Sequence, residues 1–138
     1  MRDGEGVTKF VTIEVLGAAT QGDARRVAES VANSSLVKCS WNGSDPNWGR
    51  VIDAVGYSGA RVEESKVDIL FGGLAGAKGG RASRTSIAKL KAAVAKKEFT
   101  VTVNLNIGRG SHRVFTSDLS EGYVAYNRLE YALKLQGR

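Results

Sequence analysis

Residues 9–16 read Lys9-Phe10-Val11-Thr12-Ile13-Glu14-Val15-Leu16, and the alternation puts Val11, Ile13 and Val15 on one side of an extended chain. From Thr20 the apolar period changes from two to about 3.6, with Ala24, Val27, Ala28 and Val31 on one helical stripe. This change of period constrains the fold more tightly than composition does. A strand rich in β-branched residues must hand over to an amphipathic helix within a few residues, and the two apolar faces need a common core. Gly17 is expected to close the strand, while Thr20 and Asp23 offer a capped helix start.

Residues 36–41 are expected to form a short strand. Pro46 forbids an uninterrupted helix across the next loop, and Val51, Ile52 and Val55 predict a second helix ending near Gly56 or Gly59. Residues 67–71 are a buried-strand candidate running into the glycine-rich residues 72–80, which read as a flexible surface hairpin or loop. Ile87, Leu90 and Val94 predict a third helix, and Phe99, Val101, Val103 and Leu105 a one-sided strand. Gly108-Arg109-Gly110 reads as a turn and residues 113–116 as the returning strand. Asp118 and Glu121 have capping-box spacing ahead of a last helix through Val124, Tyr126, Leu129 and Leu133. The order β-α-β-α-β-α-β-β-α, with no low-complexity linker and no internal repeat, predicts a single α/β domain of layered sheet and helices over residues 1–138.

A chain of 138 residues, 42% hydrophobic and 25% charged, can bury a real core. No apolar run approaches a bilayer span, and Met1-Arg2-Asp3-Gly4-Glu5 carries no apolar leader, so a cytoplasmic protein without membrane association is expected. The single cysteine, Cys39, excludes an internal disulfide and a cysteine zinc site. The net charge of +6 is unevenly placed: seven of the 20 basic residues lie between Lys78 and Lys97 with no acid among them, and elsewhere the acids slightly outnumber the bases. Such a patch can attract nucleic acid or an acidic partner. Most charge runs are solvated helix faces, however, and nucleic acid is not the expected partner.

Several motifs have plain readings. The strand, glycine loop and helix across residues 71–94 lack phosphate-loop spacing, because Lys78 follows Ala77 and precedes Gly79. Cys39, His112 and Asp118 are a chance set whose positions show no shared geometry; a small buried cysteine and a strand-end histidine are the simpler expectation. One histidine rules out a histidine-rich metal site, no carboxylate cluster has calcium-loop spacing, and no metal is expected. Two segments stay open. Asp3-Gly4-Glu5-Gly6 is either an acidic turn or a place where backbone approaches a ligand and a carboxylate meets a cationic amine. Asp45-Pro46-Asn47-Trp48-Gly49-Arg50 is either a structural corner or a site.

Four ordered blocks carry a resemblance. They are Asp3-Gly4-Glu5-Gly6 continuing through Thr8-Lys9-Phe10; Ala32-Asn33-Ser34-Ser35-Leu36-Val37-Lys38; Asp45-Pro46-Asn47-Trp48-Gly49-Arg50 with Ala54-Val55-Gly56; and Gly108-Arg109-Gly110 followed by Phe115-Thr116-Ser117-Asp118-Leu119, Tyr123-Val124 and Asn127. In that order and spacing the chain resembles the C-terminal part of the bifunctional ornithine acetyltransferase/glutamate N-acetyltransferase family over nearly all of residues 2–131. The family's precursors cleave themselves before a threonine, giving an α chain and a β chain. The new N-terminal threonine accepts acetyl from N-acetylornithine and passes it to glutamate in arginine biosynthesis, a ping-pong exchange that splits one difficult transfer into two. Some members use acetyl-CoA as an alternative donor; no other cofactor is implied.

The resemblance implies that this is the C-terminal part of such an acetyltransferase and that its partners are the small-molecule substrates together with an α chain and nucleophile-bearing segment upstream. It also implies an oligomer. It assigns substrate binding to Glu5, whose carboxylate suits a substrate ammonium, and to Asn127, which both donates and accepts; Asp3, Trp48 and Arg50 are assigned to scaffolding. No residue of this chain is assigned a catalytic role, and the isolated chain is expected to be inactive. Since a cleavage product would begin with threonine rather than Met1, a trimmed form or a separately encoded piece is expected. After Tyr131 the sequence departs from the family's usual ending, and Ser117 stands where the family commonly has cysteine. Two alternatives stand beside this reading: a non-catalytic binding module that keeps the fold, and a basic nucleic-acid-binding domain built on residues 78–97.

Overall fold

The structure, a computed structural model, describes residues 9–119. β1 (Phe10–Ala18) is followed by three helices, α1 (Gln21–Ala32), α2 (Ser35–Asn42) and α3 (Trp48–Gly56). A single 3-10 turn (Glu64–Lys66) leads into β2 (Asp68–Phe71), β3 (Leu74–Lys78) and β4 (Arg81–Ala82). Then come α4 (Ile87–Val94), β5 (Glu98–Asn104) and β6 (Gly110–Ser117). The six strands form one sheet in the order β4-β3-β2-β5-β1-β6. β1 and β5 run parallel, and the other neighbours are antiparallel. The fold is therefore mixed α/β, a sheet layered with helices.

Alternate positions explain the layering. Val11, Ile13, Val15, Ile69, Phe71, Phe99, Val101 and Val103 point to one face and join the buried residues of all four helices in one core. Thr12, Glu14, Leu70, Thr100 and Thr102 point to the other face, which carries no helix among the described residues. α1 begins where the period changed: Thr20 Oγ1 accepts from Asp23 N at 3.0 Å, and Ala24, Val27, Ala28 and Val31 are buried.

Three expectations need correcting. Residues 36–41 form most of α2 rather than a strand. Val37 and Trp41 are four apart, so they share a face in both periodicities; Cys39, which a strand would bury with them, is only half-buried. Ser34 settles the local choice, its Oγ accepting from Val37 N at the helix start. Gly17 does not close β1 but sits inside it at φ 68°, where the register against β6 shifts between Val15 and Ala18. Of the two readings of the glycine-rich stretch the structure shows the hairpin: Gly72 and Gly73, at φ 57° and 83°, make a tight turn between β2 and β3, a conformation that favours glycine. Ile87 is 63% exposed because it is the first residue of α4, whose buried stripe is Leu90, Ala93 and Val94. The expected last helix beyond residue 119 lies outside the described residues.

Candidate functional site

β1 begins and β6 ends at the same corner of the sheet, with Phe10 paired to Ser117. The residues just beyond, Lys9 and Asp118, are 109 positions apart in sequence and are locked together. Lys9 N donates to Asp118 Oδ1 at 2.8 Å, and Asp118 N donates to Lys9 O at 3.2 Å. The other carboxylate oxygen, Oδ2, accepts from Asn42 Nδ2 at 2.8 Å, and Leu119 N donates to Lys38 O at 3.3 Å. Lys38 and Asn42 lie one turn apart on α2, so that helix closes over the carboxylate. Asp118 is 0% and Lys9 6% exposed.

The Lys9 side chain crosses the core. Its Nζ donates to Trp41 O at 2.5 Å, Ser44 Oγ at 2.7 Å and Val94 O at 2.7 Å. Trp41 is in the last turn of α2 and Val94 ends α4, so one ammonium meets the carbonyl ends of two helices, where cations are favoured. The two carbonyls can only accept and Ser44 Oγ can accept as well, so the three N–H donors of an ammonium match the three partners. Burial pushes the Lys9 ammonium below the ordinary lysine range, and the Asp118 carboxylate opposes that shift. The half-buried Lys38 is lowered by the same leading cause, with Asp118 again opposing.

The D-P-N-W-G-R corner joins α2 to α3. Asn47 Oδ1 accepts from Arg50 N at 3.0 Å and caps α3, while Arg50 Nη1 donates to Leu36 O at 2.9 Å and ties α3 to α2. Trp48 packs against the core.

Two hollows flank these features. One of about 510 Å³ lies on the helix-free face at the Lys9–Asp118 corner, lined in part by Phe10, Thr12, Thr100 and Phe115, the last 79% exposed. The other, about 430 Å³, is lined in part by Leu36, Arg50, Asp53, Tyr57 and Glu64 and shares no residue with the Lys9–Asp118 corner.

Glu5 and Asn127 lie outside the described residues, as does Asp3. The structure does place the points from which their segments leave, Lys9 and Leu119, side by side through the bonds above. Cys39, His112 and Asp118 are not brought together as a triad: His112 and Asp118 are six residues apart, mostly along extended β6, or roughly 20 Å at about 3.3 Å per residue. No group of three or more His, Cys, Asp or Glu able to hold a metal occurs among the described residues. None of their helices is long and apolar enough to cross a membrane. The Lys9–Asp118 lock escaped sequence reasoning, which took Lys9 as the first residue of a strand and Asp118 as a helix cap. The one available signal was that both sit inside blocks carrying the resemblance.

The ArgJ family model matches residues 1–131. The arginine biosynthesis bifunctional protein ArgJ of Geobacter sulfurreducens is 48% identical over 128 residues, which are 92% of this chain and 33% of that protein. Its counterpart from Caulobacter vibrioides is 44% identical, covering 92% of this chain and 32% of that protein. A crystal structure of the Bacillus halodurans arginine biosynthesis bifunctional protein ArgJ superposes with a TM-score of 0.84 at 38% identity, covering 92% of this chain and 60% of that one. The chain spans about a third of the length of the curated relatives it matches.

Proposed function

Because this chain belongs to the ArgJ family, we propose that it forms the C-terminal part of a glutamate N-acetyltransferase that moves acetyl from N-acetylornithine to glutamate in arginine biosynthesis. The observation that supports this reading is the corner at Lys9 and Asp118, which joins the first described residue after the D-G-E-G motif to the strand end that precedes Asn127 in sequence.

In the proposed reaction a threonine from the remaining two thirds of the enzyme attacks the acetyl carbonyl of N-acetylornithine through its Oγ. The C–N bond breaks, ornithine leaves with the proton, and an acetyl-threonine ester remains. The uncharged amine of glutamate then attacks the ester, giving N-acetylglutamate and restoring the hydroxyl. Glu5 pairs with the charged side-chain amine of bound N-acetylornithine, which does not react, and Asn127 orients the ligand through hydrogen bonds. Acetyl-CoA remains an alternative donor for the first half. A cytoplasmic oligomer with an α-chain partner belongs to the same proposal.

The test is a chimera in which this chain replaces the matching third of the Geobacter sulfurreducens relative. A folded chimera that forms N-acetylglutamate from N-acetylornithine and glutamate supports the proposal. A folded chimera that forms none, beside an active parent, refutes it.

A further inference from the structure

We propose that the outer edge of β6 receives an extended segment from the remaining two thirds of the enzyme, which adds to the six-stranded sheet beside Arg113, Phe115 and Ser117. This rests on the reading that the chain is part of a larger enzyme and names a surface through which the parts join. The two edges of the sheet are finished differently. β4, at one end, is a strand of two residues, Arg81–Ala82. Just past it Ser83 N donates to Gly76 O at 3.0 Å and Ser83 Oγ donates to Ala75 O, which extends the cover over β3. A short edge carrying a charge is one way sheets avoid unwanted pairing. β6, at the other end, runs eight residues, and no strand lies beyond it among the described residues. It holds no proline or lysine, and its one arginine, Arg113, is drawn back over the sheet by Glu14 at 2.8 Å.

Alternation along the ladder assigns the free groups. Asp118 N donates to Lys9 O, while Phe10 N donates to Lys97 O on the opposite side of β1, so the backbone groups of Thr116, Val114 and His112 face β1 and those of Ser117, Phe115 and Arg113 face outward. Ser111 N, the next outward donor, goes to Gln21 Oε1 at 3.2 Å, as this assignment requires. The other three meet no partner among the described residues. Beside them Phe115, 79% exposed, borders the hollow of about 510 Å³ with Phe10, Thr12 and Thr100. Strand addition uses both features, main-chain bonds for affinity and a hollow for alternate side chains for selectivity. A second copy suits the edge less well. It would bring another +6 of charge to a contact of three residues, whereas a segment of the same enzyme reaches the edge at high effective concentration. The matched relatives have about two thirds of their length outside the part this chain covers.

The test is hydrogen–deuterium exchange of the chimera, resolved to single amides. With a strand on its outer side, β6 should protect the Arg113 and Phe115 N–H groups to within about tenfold of those of Val114 and Thr116, which face β1. Phe115→Pro deletes one outward N–H and leaves the ladder to β1 intact, so Arg113 should then exchange more than about tenfold faster. Outward amides that exchange more than about tenfold faster than their inward neighbours in the folded, unsubstituted chimera overturn the inference. So does protection that Phe115→Pro leaves unchanged. Protection that fades on dilution together with a dimer seen by sedimentation assigns the edge to a second copy and overturns it as well. A folded but inactive chimera with slow outward exchange removes the functional reading and leaves this inference standing; an active chimera with fast outward exchange does the reverse. If the chimera does not fold, the matching strand of the intact Geobacter sulfurreducens relative is read in its place, with the same outcomes.

Discussion

Replacing Lys9 by methionine removes the ammonium while keeping a side chain of similar length. Three acceptors then lose their donor, with unequal consequences. Ser44 is half-buried and can turn to water, whereas Trp41 O retains only the bond from Ser44 N at 3.0 Å. Val94 O, at the end of α4, has no further turn of helix to supply a partner. An acceptor left unsatisfied in the interior costs about 1–3 kcal/mol. Val94 O is the carbonyl left without its donor, a gross loss of about 1–3 kcal/mol, part of which is returned because no ammonium has to be desolvated. The expected net destabilisation is about 1–2 kcal/mol, a measurable share of the roughly 5–15 kcal/mol that holds a domain together. Urea unfolding of the chain, followed through Trp41 and Trp48 fluorescence, measures it as a fall in midpoint at unchanged slope. A Lys9→Met chain as stable as the parent, or more stable, would show that the desolvation of the ammonium cancels its hydrogen bonds, and the account of the corner as a closed polar lock would fail.

Three other outcomes follow from the geometry. Asn47→Ala removes the cap of α3 and should cost about 1 kcal/mol in the same assay, with no cost contradicting the capping role. Lys38 has a folded-state pKa below its ordinary 10.5, so between those two values the unfolded chain holds more protons and stability rises with pH; the stability of the parent relative to Lys38→Met should therefore be flat near neutrality and climb toward pH 10.5, and a decline would reverse the assignment. If the basic residues 78–97 are a solvated face, duplex DNA should bind weakly and lose its hold as salt rises, whereas tight sequence-selective binding at physiological salt would revive the nucleic-acid reading.

How far the sequence could be read depended on whether the deciding contacts were local. β1, α1 and β5 declared themselves because burial on one side imprints a period on consecutive residues, and the Thr20 cap lies three residues from its partner. α2 was misread because Val37 and Trp41 satisfy both periods over a segment too short for a third position to decide. The sequence leaves hairpin and loop open between β2 and β3 because glycine marks backbone freedom without saying which of them uses it. The corner depends on Lys9 and Asp118, 109 residues apart, and no local pattern distinguishes a lysine that will be buried from one at a solvated strand start. Glu5 and Asn127 carry no periodic signal either. They were legible only through the ordered motifs around them, which is why their roles remain proposals while the family is settled by the match over residues 1–131.

The claim that this chain furnishes part of a substrate site is tested most directly by steady-state kinetics of the Glu5→Gln chimera, paired with its thermal melt. Glutamine keeps the shape and removes the charge, so loss of a charge-assisted bond to the ammonium of N-acetylornithine, about 1.5–3 kcal/mol, should lower kcat/KM for that substrate by roughly 10- to 150-fold while the melting temperature barely moves. Asn127→Ala, which gives up a neutral hydrogen bond, should lose less, roughly 2- to 13-fold. Unchanged kcat/KM for Glu5→Gln, in a chimera whose parent is active, would contradict the assignment of Glu5 to the substrate.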